Sequence, residues 1–263
     1  MRRTVSCSLS AELLAPADIE LQVAVAAPLS DRLSVTVDGR EVEPVEIPTE
    51  AGGRLHLLEA VTGRLEVSYD CTVVGSLPPV EALPTDRSVY LRPSRYAESD
   101  RLAALATAEL GGLDDPASLL RAAGAWVGSR LSYVAGSSRG TDGAVDTLLA
   151  GAGVCRDYAH LVVALLRARD VPARLVSVYA PGLQPMDFHA VAEALVDGRW
   201  CVVDATLLAP RSTLVRIATG RDAADTAFLS SSGGELRLEA MSVSAVVDGD
   251  LPADDLDELV SLS

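Results

Sequence analysis

The first 75 residues alternate apolar and polar positions with a period of two. IELQVAV (19–25) and LSVTV (33–37) carry the alternation most cleanly, and Asp38–Gly39 supplies a two-residue hairpin turn. LHLLEAV and RLEVSYDCTVV, separated by Gly63, predict two more strands. Successive side chains of a strand point to opposite faces, so this pattern buries one face and predicts a small antiparallel sheet or sandwich. The alternation stops at GSLPPVEALPTDRSVYLRP, where Pro78, Pro79, Pro84 and Pro93 mark a connector.

Beyond the connector the period lengthens. SDRLAALATAEL (99–110) carries a helical apolar stripe that ends at a glycine pair. DPASLLRAAGAWVGSRL offers Asp115 as N-cap and Pro116 at the first helical position. The Gly- and Ser-rich VAGSSRGTDG leads to a short helix over 145–150. GVCRDYAHLVVALLRARDVPARLV (153–176) predicts a helix over 155–168 with almost no polar face, which must be buried on most sides. RLVSVYA, FHAVAEALV and RWCVVDAT read as strands, the last two joined by Asp197–Gly198, and GGELRLEAMSVSAVV as another. The tail DGDLPADDLDELVSLS holds six acidic residues and no arginine, and reads as a solvated segment with a short amphipathic turn. The pattern contains no internal repeat.

Length and composition narrow the function. With 263 residues, 49% of them hydrophobic, one main domain with a smaller attached part can bury a sizeable core. A net charge of −15 repels phosphate backbones and anionic lipid surfaces, so neither nucleic acid nor membrane is expected as a partner. Lysine and asparagine are both missing from the sequence. Cys7, Cys71, Cys155 and Cys201 form no C-x-x-C pair, and only His56, His160 and His189 could join them, which argues against a metal site. No cofactor motif is present. The N-terminal MRRTVSCSLS lacks an apolar h-region and no stretch is long enough to span a membrane, so the expected location is the cytoplasm, with free thiols.

The remaining chemistry concentrates on one cysteine. Cys155 falls at the expected first turn of the buried helix, where the helix dipole favours a thiolate and free backbone N–H groups can hold an oxyanion. A cysteine nucleophile also needs a base and a group that orients the base. His160 points about 140° away from Cys155 around the helix, at 100° per residue. His189 opens a strand after the loop YAPGLQPMD, at the rim of a site. If Asp197–Gly198 is a tight turn, Val196 pairs with Arg199 and Val191 lies opposite Asp204. His189 and Asp204 are then diagonal neighbours on one face. With no asparagine in the chain, the third member of any triad must be acidic.

Residues 94–230 resemble the transglutaminase-like superfamily in its bacterial branch. The resemblance rests on GVCRDYAHLVVALLRARDVPARLVSVY, DFHAVAEALVDGRW and VVDAT, with YLRPSRYAESDRL upstream and LAPRSTLVRIATGRDAADTAF downstream. It implies an α+β fold: a papain-like transglutaminase core of helices packed on an antiparallel sheet, preceded by a small β-rich region. The corresponding division is 1–90 for that region and the connector, 91–248 for the catalytic core and 249–263 for the acidic tail. It implies Cys155 as nucleophile, His189 as general base and acid, and Asp204 as orienter. Two positions depart from the family pattern. Val191 stands where tryptophan is common and would shield the His189–Asp204 hydrogen bond less from water, and Ala205 stands where proline is usual.

The implied reaction is attack of the Cys155 thiolate on an amide carbonyl to give a thioester. Hydrolysis of a peptide, protein or small amide substrate is preferred to cross-linking. A protein-glutamine transglutaminase, an arylamine-type acyltransferase and a catalytically silent binding module are the alternatives. Calcium is not implied, because no acidic loop has ligand spacing. The Cys155 amide is one expected oxyanion donor, and the loop from Tyr133 to Ser138 is expected to supply the second. Arg156 and Asp157 read as helix-start residues, and Cys7, Cys71 and Cys201 as core.

Overall fold

A computed structural model describes residues 1–26, 28–75 and 79–262, so Pro78 of the connector and Ser263 of the tail lie outside the described residues. The alternating pattern at the start produces a longer strand than its cleanest stretch suggests. β1 runs from Arg2 to Leu21 and buries every second residue from Arg3 to Leu13. It passes Pro16 at a register shift between Leu13 and Ala17, where the missing proline N–H breaks no ladder bond. The expected strand 19–25 ends early, at Leu21. Beyond it Val25 N–H donates to the Tyr69 hydroxyl and Val23 C=O accepts from the Tyr179 hydroxyl, both at 2.9 Å.

β2 (Ser30–Val37) and β3 (Arg40–Glu41) are joined by the expected turn, with positive φ at Asp38 (48°) and Gly39 (75°). β4 (Val45–Pro48) and β5 (Arg54–Val74) follow. The two strands expected on either side of Gly63 are one strand, because Gly63 lies opposite Leu13 beside the β1 irregularity and bends β5 without breaking it.

The helical region begins with α1 (Asp86–Tyr90) and α2 (Ala103–Glu109), the latter behind a 3₁₀ turn at 99–101. In α3 (Pro116–Arg130) the Asp115 carboxylate accepts from Ser118 N–H at 2.8 Å, as an N-cap should. β6 (Ser132–Tyr133) and β7 (Ala152–Gly153) form a short parallel pair around α4 (Ala144–Ala150). α5 (Cys155–Arg167) is buried from Asp157 to Arg167, with α3 and α4 packed against it.

β8 (Ala173–Tyr179), β9 (Phe188–Val196), β10 (Arg199–Val203) and β11 (Val215–Gly220) form an antiparallel sheet in the order β10-β9-β8-β11. One face, with Ala192, Ala194, Val196 and Cys201, shares a core with α5. α6 (Ala223–Thr226) precedes β12 (Leu229–Ser232) and β13 (Leu236–Val247), which pair with β1 and not with the core sheet. The expected boundary at 248 therefore groups with the core two strands that complete the N-terminal sheet. Tyr179, Val215 and Ile217 belong to the buried cluster beneath that sheet, so the two sheets share apolar contacts.

The acidic tail keeps its carboxylates exposed or half-buried, as a solvated segment should, but its apolar end is anchored on the core. Leu262 is 2% exposed and packs with Val260 against Val176, Val178, Val191 and Val202. Arg211 pairs with the Asp254 carboxylate at 3.0 Å and ties the tail to the core.

Candidate active site

The start of α5 is fixed by its own first turn. Asp157 reaches back, and its Oδ2 accepts from Val154 N–H at 2.8 Å and from the Ser138 hydroxyl at 2.5 Å. Arg156 donates to Ser138 Oγ at 3.0 Å and pairs with Asp157 at 3.3 Å. These are the helix-start roles expected of both residues. Gly153 allows the closure, since a Cβ there would come 2.6 Å from the Asp157 Cβ.

Cys155 therefore stands at the first position of α5, and it alone of the four cysteines is not buried. Cys7, Cys71 and Cys201 are core residues. The β6–β7 pair sets Tyr133 beside Gly153, two residues before Cys155, and its ring lies 6.0 Å from that of Tyr158. Burial, the Cys155 side chain and Asp187 together push the Tyr133 phenol up to about 12, so it is a neutral donor next to the thiol. Of the loop from Tyr133 to Ser138, Tyr133 is the residue the structure brings beside Cys155.

The register of the β9–β10 hairpin follows the turn-based arithmetic: Val196 pairs with Arg199 and Ala192 with Val203. Pairing ends there, and Asp204 leaves the strand toward His189. His189 Nε2 lies 2.7 Å from Asp204 Oδ2, both side chains buried. With Nε2 on Asp204, Nδ1 is the nitrogen left for Cys155. Burial by itself pushes the imidazole down, but the Asp204 charge and hydrogen bond, aided by Cys155, outweigh it and raise His189 to about 10. Burial likewise works against the Asp204 carboxylate, yet His189 and Thr206 hold it below its ordinary value. Thr206 donates to Asp204 Oδ1 twice, from its hydroxyl at 2.6 Å and its N–H at 2.9 Å. The sequence reading missed Thr206, although an acid two residues before a threonine is a local hydrogen-bonding signature.

The other histidines stand elsewhere. His160 is fully buried on α5, where its Nε2 accepts from Ala223 N–H at 3.1 Å. His56 lies 3.1 Å from Glu46 in the N-terminal sheet. Among the described residues no cluster of three or more His, Cys, Asp or Glu side chains could hold a metal. A cavity of ≈ 540 Å³ runs between α3 and the 203–207 turn, reaching Asp204, Thr206 and Tyr158.

A helix that presents a cysteine at its N-terminus, against an antiparallel sheet that presents a histidine and an acid, defines the papain-like class of folds. Comparison with known proteins narrows the class. A family model described as "Transglutaminase-like superfamily" matches residues 103–205. A crystal structure from Cytophaga hutchinsonii, named as a "Putative Cysteine Protease", is 32% identical and superimposes with a TM-score of 0.85, over 98% of this chain and 96% of that one. The chain belongs to the transglutaminase-like superfamily. An uncharacterized protein of Mycobacterium leprae is 27% identical over 150 residues, and the match spans about half (53%) of each chain. The periplasmic domain of TgpA from Pseudomonas aeruginosa is 21% identical, with a TM-score of 0.42 over 75% of this chain and 91% of that one.

Proposed function

We propose that the chain is a thiol-dependent acyl-transfer enzyme that hydrolyses an amide bond of a peptide, protein or small amide substrate. What supports the reading most is one juxtaposition. The single cysteine that is not buried begins α5, on the side of a histidine whose other nitrogen is bound to a buried acid at 2.7 Å. The name of the Cytophaga hutchinsonii relative agrees with cysteine-protease chemistry.

In this reading His189 takes the Cys155 proton, and the thiolate Sγ attacks the carbonyl carbon. The carbonyl π pair moves to oxygen, where the Cys155 N–H and the Tyr133 hydroxyl receive the charge. The tetrahedral intermediate collapses, the C–N bond breaks, and the His189 proton passes to the leaving amine. Water then attacks the thioester and gives a proton to His189. The C–S bond breaks, which releases the acid and restores the thiol. Asp204 keeps the imidazole oriented and stabilises its charged form throughout. The four free cysteines fit a reducing compartment, and we place the chain in the cytoplasm.

The test is alkylation of Cys155 by iodoacetamide across pH, with peptide mapping to separate the four thiols. Fast reaction of Cys155 below pH 7, lost in His189→Ala, is the expected result. Slow alkylation below pH 7 that His189→Ala leaves unchanged would overturn the proposal.

A further inference from the structure

Val191 shares the His189 face of β9, and its partner across the sheet is Val176, while Val178 stands opposite His189. These valines form a buried cluster with Val202, and Leu262 and Val260 of the C-terminal segment are part of it. β10 is an edge strand. Its Val202 N–H donates to Val260 C=O at 2.8 Å, so the segment covers that edge next to Asp204.

The anchoring is specific. Arg211 is 5% exposed, and most of its hydrogen bonds go to the segment. It holds the Asp254 carboxylate through Nε at 3.0 Å, Asp255 C=O at 2.5 Å and Glu258 C=O at 3.2 Å, and reaches back to Val202 C=O at 3.4 Å. Arg121 adds a bond to Asp257 C=O at 2.9 Å. Leu256 and Leu259 also wall the cavity that reaches Asp204 and Thr206. Removing the segment would open both the apolar layer behind His189 and the edge beside Asp204 to water.

We infer that the C-terminal segment 254–262 is a positioning element of the active centre, keeping water from the His189–Asp204 hydrogen bond. This rests on the proposed function above. A histidine–carboxylate bond is stronger in a dry, low-dielectric setting, and water that reaches it competes for both partners. The titratable groups facing His189 are Asp204, Cys155 and Asp187. Asp254 of the segment is neutralised by Arg211. Asp257 and Glu258 are exposed where they line the cavity, and what the segment lays against the valines behind His189 is the apolar pair Val260 and Leu262.

The experiment uses the full chain and measures the pH profile of Cys155 alkylation together with the thermal transition. Leu262→Ser is expected to keep a cooperative transition yet slow Cys155 alkylation at pH 6 roughly tenfold, the effect of one unit in the basicity of His189. Leu262→Met should return to within about twofold of wild type, since it refills the same volume. Val260→Ala, a milder change, serves if Leu262→Ser does not fold, and should move the profile in the same direction. A folded Leu262→Ser or Val260→Ala with the wild-type profile overturns the inference and leaves the triad reading standing. A wild type with no His189-dependent alkylation below pH 7 overturns both.

Discussion

Asp204 divides its two oxygens between two tasks. Oδ2 holds His189, and Oδ1 is held by Thr206. Hydrogen bonds to a charged group contribute about 1.5–3 kcal/mol each. Thr206→Val keeps the backbone donor and loses the hydroxyl, so it should slow Cys155 alkylation at pH 6 by about tenfold, whereas Asp204→Ala should remove the acid limb altogether. The same pair sets a stability window. His189 is raised from 6.5 to about 10, so the stabilisation it gains is full below pH 6.5 and is lost as pH rises toward 10. Asp204 is lowered from 3.8, so its share is full above about pH 4 and is lost in acid. Urea unfolding of His189→Gln should therefore show the largest deficit between about pH 4 and 6.5, shrinking toward pH 10. The pairing of His189 with Asp204 was legible in the sequence because a two-residue turn fixes hairpin register. Thr206 was not: the Asp-x-Thr spacing permits the bond, but it does not say which way the chain turns after the strand ends.

At the scale of elements, α3 approaches β10 through its glycines. A Cβ at Gly124 would come 2.5 Å from Val203 Cγ2, and one at Gly128 would come 2.7 Å from the Ala205 carbonyl oxygen. The second contact is with backbone, which cannot rotate aside. Gly128→Ala should cost about 1–3 kcal/mol in urea unfolding, and it should also slow Cys155 alkylation because Ala205 adjoins Asp204. The helices α3, α4 and α5 were legible from caps and periodicity. β1 and β5 were only partly so. Their lengths depend on a shared irregularity near Pro16 and Gly63, and each strand tolerates its interruption because the other bends with it.

For the whole molecule, His160 ties α5 to the start of α6. It is fully buried, stacks on Tyr96 with centroids 5.3 Å apart, and accepts from Ala223 N–H. Burial, with the nearby Arg156 and Arg167 charges, pushes it down to about 3 against the pull of Asp222. The unfolded chain takes up this proton below about pH 6.5 and the folded chain does not, so stability is full above 6.5 and falls as pH drops toward 3. Between pH 6.5 and 5 the wild type should lose about 1–2 kcal/mol more than His160→Gln, whose side-chain oxygen can accept the same N–H. Urea unfolding at the two pH values reads the difference.

The sequence by itself determined the helix that presents Cys155, the hairpin that aligns His189 with Asp204, and the β-rich start. Each follows from local rules: a cap, a turn, or a period of two or 3.6. The tertiary structure alone decided three things: the return of β12 and β13 to β1, the direction in which Thr206 turns to hold Asp204, and the docking of the tail's apolar end on the core. The first and third depend on partners distant in the chain, and the second on how the chain turns once β10 ends. A segment with six acidic residues reads as solvated, and its acids stay at the surface; only Arg211 and a patch of valines decide where its apolar end docks.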